Sequence, residues 1–169
     1  ETPKPNWVEG ENLLAKDFKR NYVVSARDRC DFAIERVRAV TTQRFKYLKN
    51  FMTDRPFMQP QYRDDSDYVE DARELYKEGK LDAAQSFSWA PERVAEELYD
   101  LKKDPFEINN LAADPAHAKQ LERHRKILTR WIKKTDDKGQ YPETVVALKG
   151  VLEQWGEKAV NSEYEKARD

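Results

Sequence analysis

A single cysteine, Cys30, in 169 residues excludes an internal disulfide framework and any zinc site built from several cysteines. Only two histidines, His117 and His124, are on hand for metal binding or acid–base work. The five glycines are scattered, so no Gly-rich phosphate loop can form, and no serine sits in Gly-x-Ser-x-Gly. No stretch approaches the roughly 18 consecutive apolar residues of a membrane helix. The first residues, Glu1-Thr2-Pro3-Lys4-Pro5, lack the apolar core of a signal peptide. There is no Asn-x-Ser/Thr acceptor either. An excess of charge of one sign is also missing: Lys and Arg number 31, Asp and Glu 32, for a formal net charge of -1. That balance argues against a nucleic-acid binder, and it provides no attraction to an anionic membrane.

What is present is charge in bulk. Charged residues make up 37% of the chain, against about a quarter in a typical domain. Leu, Ile, Val and Phe together reach about a fifth, near the level at which chains lose a core. Disorder also needs a large net charge and few aromatics, whereas this chain has Trp 4, Tyr 8 and Phe 7. The composition describes a folded chain with a thin core and a wide charged surface.

Residues 1–20 mix proline, charge and one apolar step at Leu13-Leu14, and read as a connector with at most one helical turn. Asn21 to Ala26 is a short β-rich run, which the charged stretch Arg27-Asp28-Arg29-Cys30-Asp31 interrupts. From Glu35 to Gln43, Val37 and Ala39 alternate with Arg36 and Arg38, a period of two that predicts a half-buried strand. Phe45 to Asn50 follows closely and completes a hairpin, in an antiparallel sheet with one face wet. Residues 52–65 carry Pro56 and Pro60 and form a loop. Asp67 and Glu70 read as a capping pair for a helix that Gly79 terminates. A short helix is expected from Leu81 to Phe87 and a strand from Glu97 to Leu101. Asp104-Pro105-Phe106-Glu107 predicts a tight capped turn, and Asp114-Pro115 starts the clearest helix. Its stripe runs through Ala118, Leu121, Arg125, Leu128 and Ile132, and it stops near Asp136 to Gly139. One more helix follows Pro142, broken or strained at Gly150, with a polar end from Glu157 that is expected to fray. The order of elements predicts an α+β fold: about four antiparallel strands packed on a long helix, with extra short helices.

Catalytic chemistry is hard to assemble from these side chains. His117 and His124 lie about two turns apart, roughly 11 Å, and read as surface or boundary residues. Cys30 reads as a small semi-buried residue at a strand end, with Asp28 and Asp31 opposing the effect of Arg27 and Arg29 on its thiol. Asp64-Asp65-Ser66-Asp67 resembles the opening of a calcium loop, but counted from Asp65 the glycine position holds Glu70 and the bidentate-glutamate position holds Tyr76. Asp136-Asp137 reads as ordinary surface.

Three segments carry a resemblance. Glu97-Leu98-Tyr99-Asp100-Leu101-Lys102-Lys103-Asp104-Pro105-Phe106-Glu107-Ile108-Asn109-Asn110-Leu111-Ala112 closely resembles the segment Glu-Leu-Tyr-Asp-Leu-x-x-Asp-Pro-x-Glu-x-x-Asn-Leu-Ala near the C-terminus of sulfatases. Arg36 to Val40 with Arg44 to Phe51 resembles that family's hairpin. Trp131 to Glu143, with Thr135-Asp136-Asp137 and Gln140-Tyr141-Pro142-Glu143, is most similar to the heparan N-sulfatase (sulfamidase) branch. The resemblance covers roughly residues 21–143, while 144–169 carry no such resemblance and stand as a helical extension.

The resemblance implies a C-terminal subdomain whose N-terminal catalytic domain is missing, with residues 1–20 as the connector to it. Such a parent would hydrolyse sulfate esters or sulfamates of sugars or aryl groups. It would use a formylglycine made from Cys or Ser in Cys/Ser-x-Pro-x-Arg beside a calcium ion, and would be periplasmic, secreted or lysosomal. Here Cys30 is followed by Asp31 and Phe32, and no serine has proline two residues on, so no catalytic residue, metal ligand or cofactor is carried over. The implied role is to complete the fold and wall one side of the substrate cleft. Arg27, Asp28, Arg29 and Asp31 lie at the strand end that faces the active site in that family, where arginines could pair with sulfate or carboxylate groups. The alternative for that turn is a salt-bridged stabiliser of the hairpin, and for the chain a free-standing protein-interaction module without activity.

Overall fold

The computed structural model describes residues 4–8 and 10–168. The expected connector therefore falls partly outside the described residues, at 1–3 and 9. Around Leu13-Leu14 it makes turns rather than a helix. Trp7 and Leu14 stand 79% and 92% exposed.

Four strands, β1 (Val23–Cys30), β2 (Ala33–Thr41), β3 (Phe45–Asn50) and β4 (Glu96–Asp100), form one antiparallel sheet in sequential order. The α+β expectation holds, with helices α1 (Asp67–Lys77), α2 (Ala83–Phe87), α3 (Ala118–Thr135) and α4 (Val145–Trp155). The charged run at Arg27 does not end β1; it is part of the strand. An edge strand tolerates such charge because its side chains reach water.

The sheet has two cores. At one end Val40, Phe45, Tyr47 and Leu98 pack under Leu121, Ile127 and Leu128 of α3. At the other, Phe32 and Ile34 pack against Leu148 and Val151 of α4 and against Ala159, Tyr164 and Ala167. The terminal residues expected to fray are thus docked. The Tyr164 hydroxyl donates to the Phe32 carbonyl at 2.9 Å, and burial pushes its pKa up to about 12. Gly150 does not break α4; it sits in open space on the exposed side, so its missing side chain costs only helix propensity.

The sheet is not wet on one face. Arg38, expected on the solvent side, is 0% exposed, and Glu35 is buried as well. Buried charge is tolerated when paired, and both groups are. Ser66, not Asp67, caps α1, and its side chain makes no capping bond; Asp67 and Glu70 act only through their charge in the first turn. Asp82 and Gln85 form the reciprocal capping box on α2. Gly79 has φ +68° after α1, the left-handed position that glycine adopts freely. Asp104 caps the turn at a distance, accepting from the Asn109 N–H at 2.7 Å, while Glu107 sits at φ 57° and pairs with Lys46 at 2.7 Å.

Candidate functional site

The sheet end opposite α3 builds the site. Between Arg27 and Arg29 the β1–β2 register slips: Arg27 pairs with Val37 but Arg29 with Ile34. Glu35 and Arg36 therefore oppose Asp28 alone. A bulge of this kind re-aims side chains, and here two consecutive residues take quite different partners. Glu35 receives two hydrogen bonds from Arg93 Nη2, at 2.7 and 2.6 Å, inside the protein. Arg36 lies over the Phe51 ring, 3.9 Å from its centroid, and makes no ion pair among the described residues.

After α3, Asp136 adopts φ 49° and turns the chain back toward the sheet. Asp137 then meets Arg38 in a two-bond fork, Nε to Oδ2 at 2.9 Å and Nη2 to Oδ1 at 2.8 Å. Asp28 joins the same Arg38 Nη2 at 2.8 Å. The guanidinium beside it holds the Asp137 carboxyl below its ordinary value. Asp137 is therefore an interior anchor, not the surface residue expected from the sequence. Gly139 passes directly over this cluster, and a Cβ there would collide with the Arg38 guanidinium and the Asp28 carboxylate. Glycine is the only residue that lets the 136–143 loop lie so close.

The loop, the bulge and the C-terminal segment enclose a cleft of about 690 Å³. Asp28, Arg29, Arg36, Phe51, Tyr141 and Lys166 are among its walls. Lys138 to Glu143 of the loop lie along its rim. Of the four residues singled out from the sequence, Asp28 and Arg29 line it, and both are engaged. Arg29 Nε donates to Glu143 at 2.7 Å and its Nη1 to the Asp31 carbonyl at 2.6 Å. Arg27 instead stacks on Phe57 at 5.8 Å, and Asp31 holds the β1–β2 turn at φ 51°. The residues that sequence reasoning missed are Arg36, Arg38 and Lys166. Arg36 and Arg38 were legible only as the polar side of a strand, since the bulge leaves no sequence mark.

Elsewhere the chemistry is sparse. Cys30 ends β1 exposed, not semi-buried, with Sγ 3.6 Å from Asp31 Oδ2. His124 is buried rather than at the surface, its Nδ1 2.8 Å from the Gln120 carbonyl and its Nε2 without a partner. Burial drives its pKa down, so the ring is neutral. His117 pairs with Asp114 at 2.8 Å. Asp64 and Asp65 turn away to Arg73 and Lys158. Among the described residues no three His, Cys, Asp or Glu side chains converge to hold a metal ion. No helix among the described residues is long and apolar enough to cross a membrane.

No family model matches the sequence. An ulvan-active sulfatase of Formosa agariphila is 35% identical over 147 residues, covering 85% of this chain and 24% of that protein. A Δ4,5-hexuronate-2-O-sulfatase of Bacteroides thetaiotaomicron is 52% identical over 42 residues, 25% of this chain and 9% of that one. A solved 2-O GAG sulfatase superposes with a TM-score of 0.52 at 25% identity over 82% of this chain and 23% of its own. A structure from Bacteroides thetaiotaomicron VPI-5482 assigned to the sulfatases gives the same figures. The chain is thus similar to sulfatases in sequence and in fold over most of its length, and spans about a quarter or less of the relatives it matches.

Proposed function

We propose that this chain is the C-terminal part of a sulfatase, a non-catalytic subdomain that completes the fold and walls the substrate cleft. The observation that carries the reading is the ulvan-active sulfatase match, which takes in most of this chain and only a quarter of that enzyme. The formylglycine, made from a Cys or Ser in Cys/Ser-x-Pro-x-Arg, and the calcium ligands belong to polypeptide outside these residues. Residues 1–20 connect to it, 21–143 form the subdomain, and 144–169 are a helical extension. The names of the matched enzymes favour sulfate esters on acidic sugars as the substrate class. The sulfamidase likeness of 131–143 keeps sulfamates as the second class of bond. Such an enzyme works in the periplasm, outside the cell or in the lysosome.

Within this reading, Asp28, Arg29 and the 136–143 loop form the wall on the sugar side. What the chain supplies is position: Arg38 fixes the loop, Gly139 allows its approach, and the Arg29–Glu143 pair closes the corner. The test is to take the reading frame upstream and assay the longer protein and the 169-residue chain side by side on an aryl sulfate and on ulvan. The expected result is a Cys/Ser-x-Pro-x-Arg motif upstream, turnover by the longer protein and none by this chain. Enzyme-like turnover by the 169 residues alone would overturn the assignment, and so would an upstream frame without the motif.

A further inference from the structure

The acids around the cleft are all spoken for. Asp28 is held by Arg38, Glu35 by Arg93, Glu143 by Arg29 and Glu163 by Arg55. Two cations in the walls are not. Lys166 makes no ion pair among the described residues, and neither does Arg36, whose Nε is buried without a hydrogen-bond partner. Arg36, Arg38, Asp28 and Asp137 balance one another in net charge, so Lys166 supplies the surplus. Arg38 nonetheless takes both carboxylates for its own hydrogen bonds, leaving the Arg36 donors unmet. Burial and the neighbouring Arg38 charge both work against the Arg36 cation, pulling its pKa down. Asp28 and Asp137 act on Arg36 only through their charge, so a guanidinium desolvated against an aromatic ring, with an orphaned donor, has hydrogen bonds left to give an anion entering the cleft.

The geometry points to an anion-binding subsite in this cleft, in which Arg36, stacked on Phe51, and Lys166 together grip a carboxylate or sulfate group carried by a sugar. Phe51 fixes the plane of the guanidinium, so that its N–H fork is presented in one orientation. A planar fork of this kind matches the paired oxygens of both groups. Lys166 adds a point charge in the same cleft. Tyr141, mostly exposed at the rim, offers a flat face for a pyranose ring. The 690 Å³ volume is the size of a drug-sized ligand site, enough for more than one sugar unit. The choice of a sugar as the carrier rests on the sulfatase reading above; the capacity of the cleft for an anion does not.

The test is an NMR titration of the arginine Nε–H signals of the 169-residue chain at fixed ionic strength. The probes are D-glucuronate, glucose 6-sulfate, inorganic sulfate and neutral glucose. The expected result is a saturable shift of the Arg36 signal with the charged sugars and none with glucose. Glucuronate against glucose 6-sulfate identifies which anion fits better, and inorganic sulfate shows how much the sugar adds. Arg36→Gln should weaken binding about tenfold or more, as loss of a charge-assisted bond does. Lys166 is exposed, so Lys166→Gln tests the site without touching the interior, and should weaken binding by about threefold. No saturable shift with any charged probe, or equal binding by both variants, would overturn the proposal. An inactive longer protein that retains Arg36-dependent binding would defeat the sulfatase reading and leave this one standing.

Discussion

The two ends of the sheet are held together by different physics. Under α3 the interior is mainly aliphatic and aromatic, with His124 buried in it, and its ionic links are at the margin: Arg125 forks onto Glu96 at 2.8 and 2.5 Å, Tyr47 donates to the same carboxylate at 2.6 Å, and the half-exposed Arg44 holds the buried Asp100 at 2.7 Å. At the cleft end, buried arginines are added beside the hydrophobic cluster of Phe32, Ile34, Leu148 and Tyr164. Arg38, Arg55 and Arg93 are each buried, and each reaches carboxylates on a distant segment. A chain with few large aliphatic residues builds part of its interior from paired charge. Such pairs contribute little net stability compared with hydrophobic replacements, but they are costly to break singly and they fix geometry. The α3 end is held mainly by apolar packing, the cleft end by apolar packing together with buried ion pairs.

That contrast can be broken at several points. Glu35→Ala strands Arg93 in the interior and should cost about 3–5 kcal/mol by chemical denaturation, while the double replacement Glu35→Leu with Arg93→Met should recover most of it. A double variant as unstable as the single one would mean that the pair is more than compensation. Leu128→Ala under α3 should cost about 2–5 kcal/mol through lost burial and a residual cavity. Because it lies at the other end, it should leave the anion response of Arg36 unchanged in the titration described above.

Gly139→Ala is the next in size. Its methyl would push on Arg38 and Asp28, at a cost of about 1–3 kcal/mol, and should loosen the loop so that the Arg38 Nε–H signal broadens. The smallest effect is acid sensitivity at the α3 end. Arg125 holds the Glu96 carboxyl far below the usual range, at about 2. A folded-state value below the unfolded one means stability that is complete above the usual glutamate pKa and is lost as pH falls toward 2. With Arg125 partly in water, the contribution is about 1 kcal/mol. Stability curves of the parent chain and Glu96→Gln should therefore converge as the pH is lowered from 5 to 2.

The same divide explains what could be read from the sequence. The α3 end was legible: periodicity marks Leu121 and Leu128, alternation marks the β2–β3 hairpin, and Asp114-Pro115 marks the helix start. Period and capping are local signals, and this core is built from them. The cleft end was legible only as a resemblance. Arg38 looked like a solvent-facing residue because its partner, Asp137, is 99 positions away. The bulge that separates Glu35 from Arg36 leaves no composition signal. His124 reads as a surface or boundary residue because it is polar and lies outside the apolar stripe, while Phe45 and Tyr47 close over it. Polar composition likewise suggested a loose tail, although three small or aromatic residues, Ala159, Tyr164 and Ala167, suffice to seat it.

The seat of Tyr164 has a consequence for how the chain is made. Its bond to Phe32 spans 132 positions, and its pocket-mates in α4 also come late in the sequence. During synthesis the hairpin around Phe32 leaves the ribosome long before the ring that covers it. Until then an aromatic side chain at the first turn stays open to water and to holdase chaperones. Any nascent or truncated product that stops before α4 has a sheet with one end uncapped, and one that stops between α4 and this tyrosine has that end only partly covered.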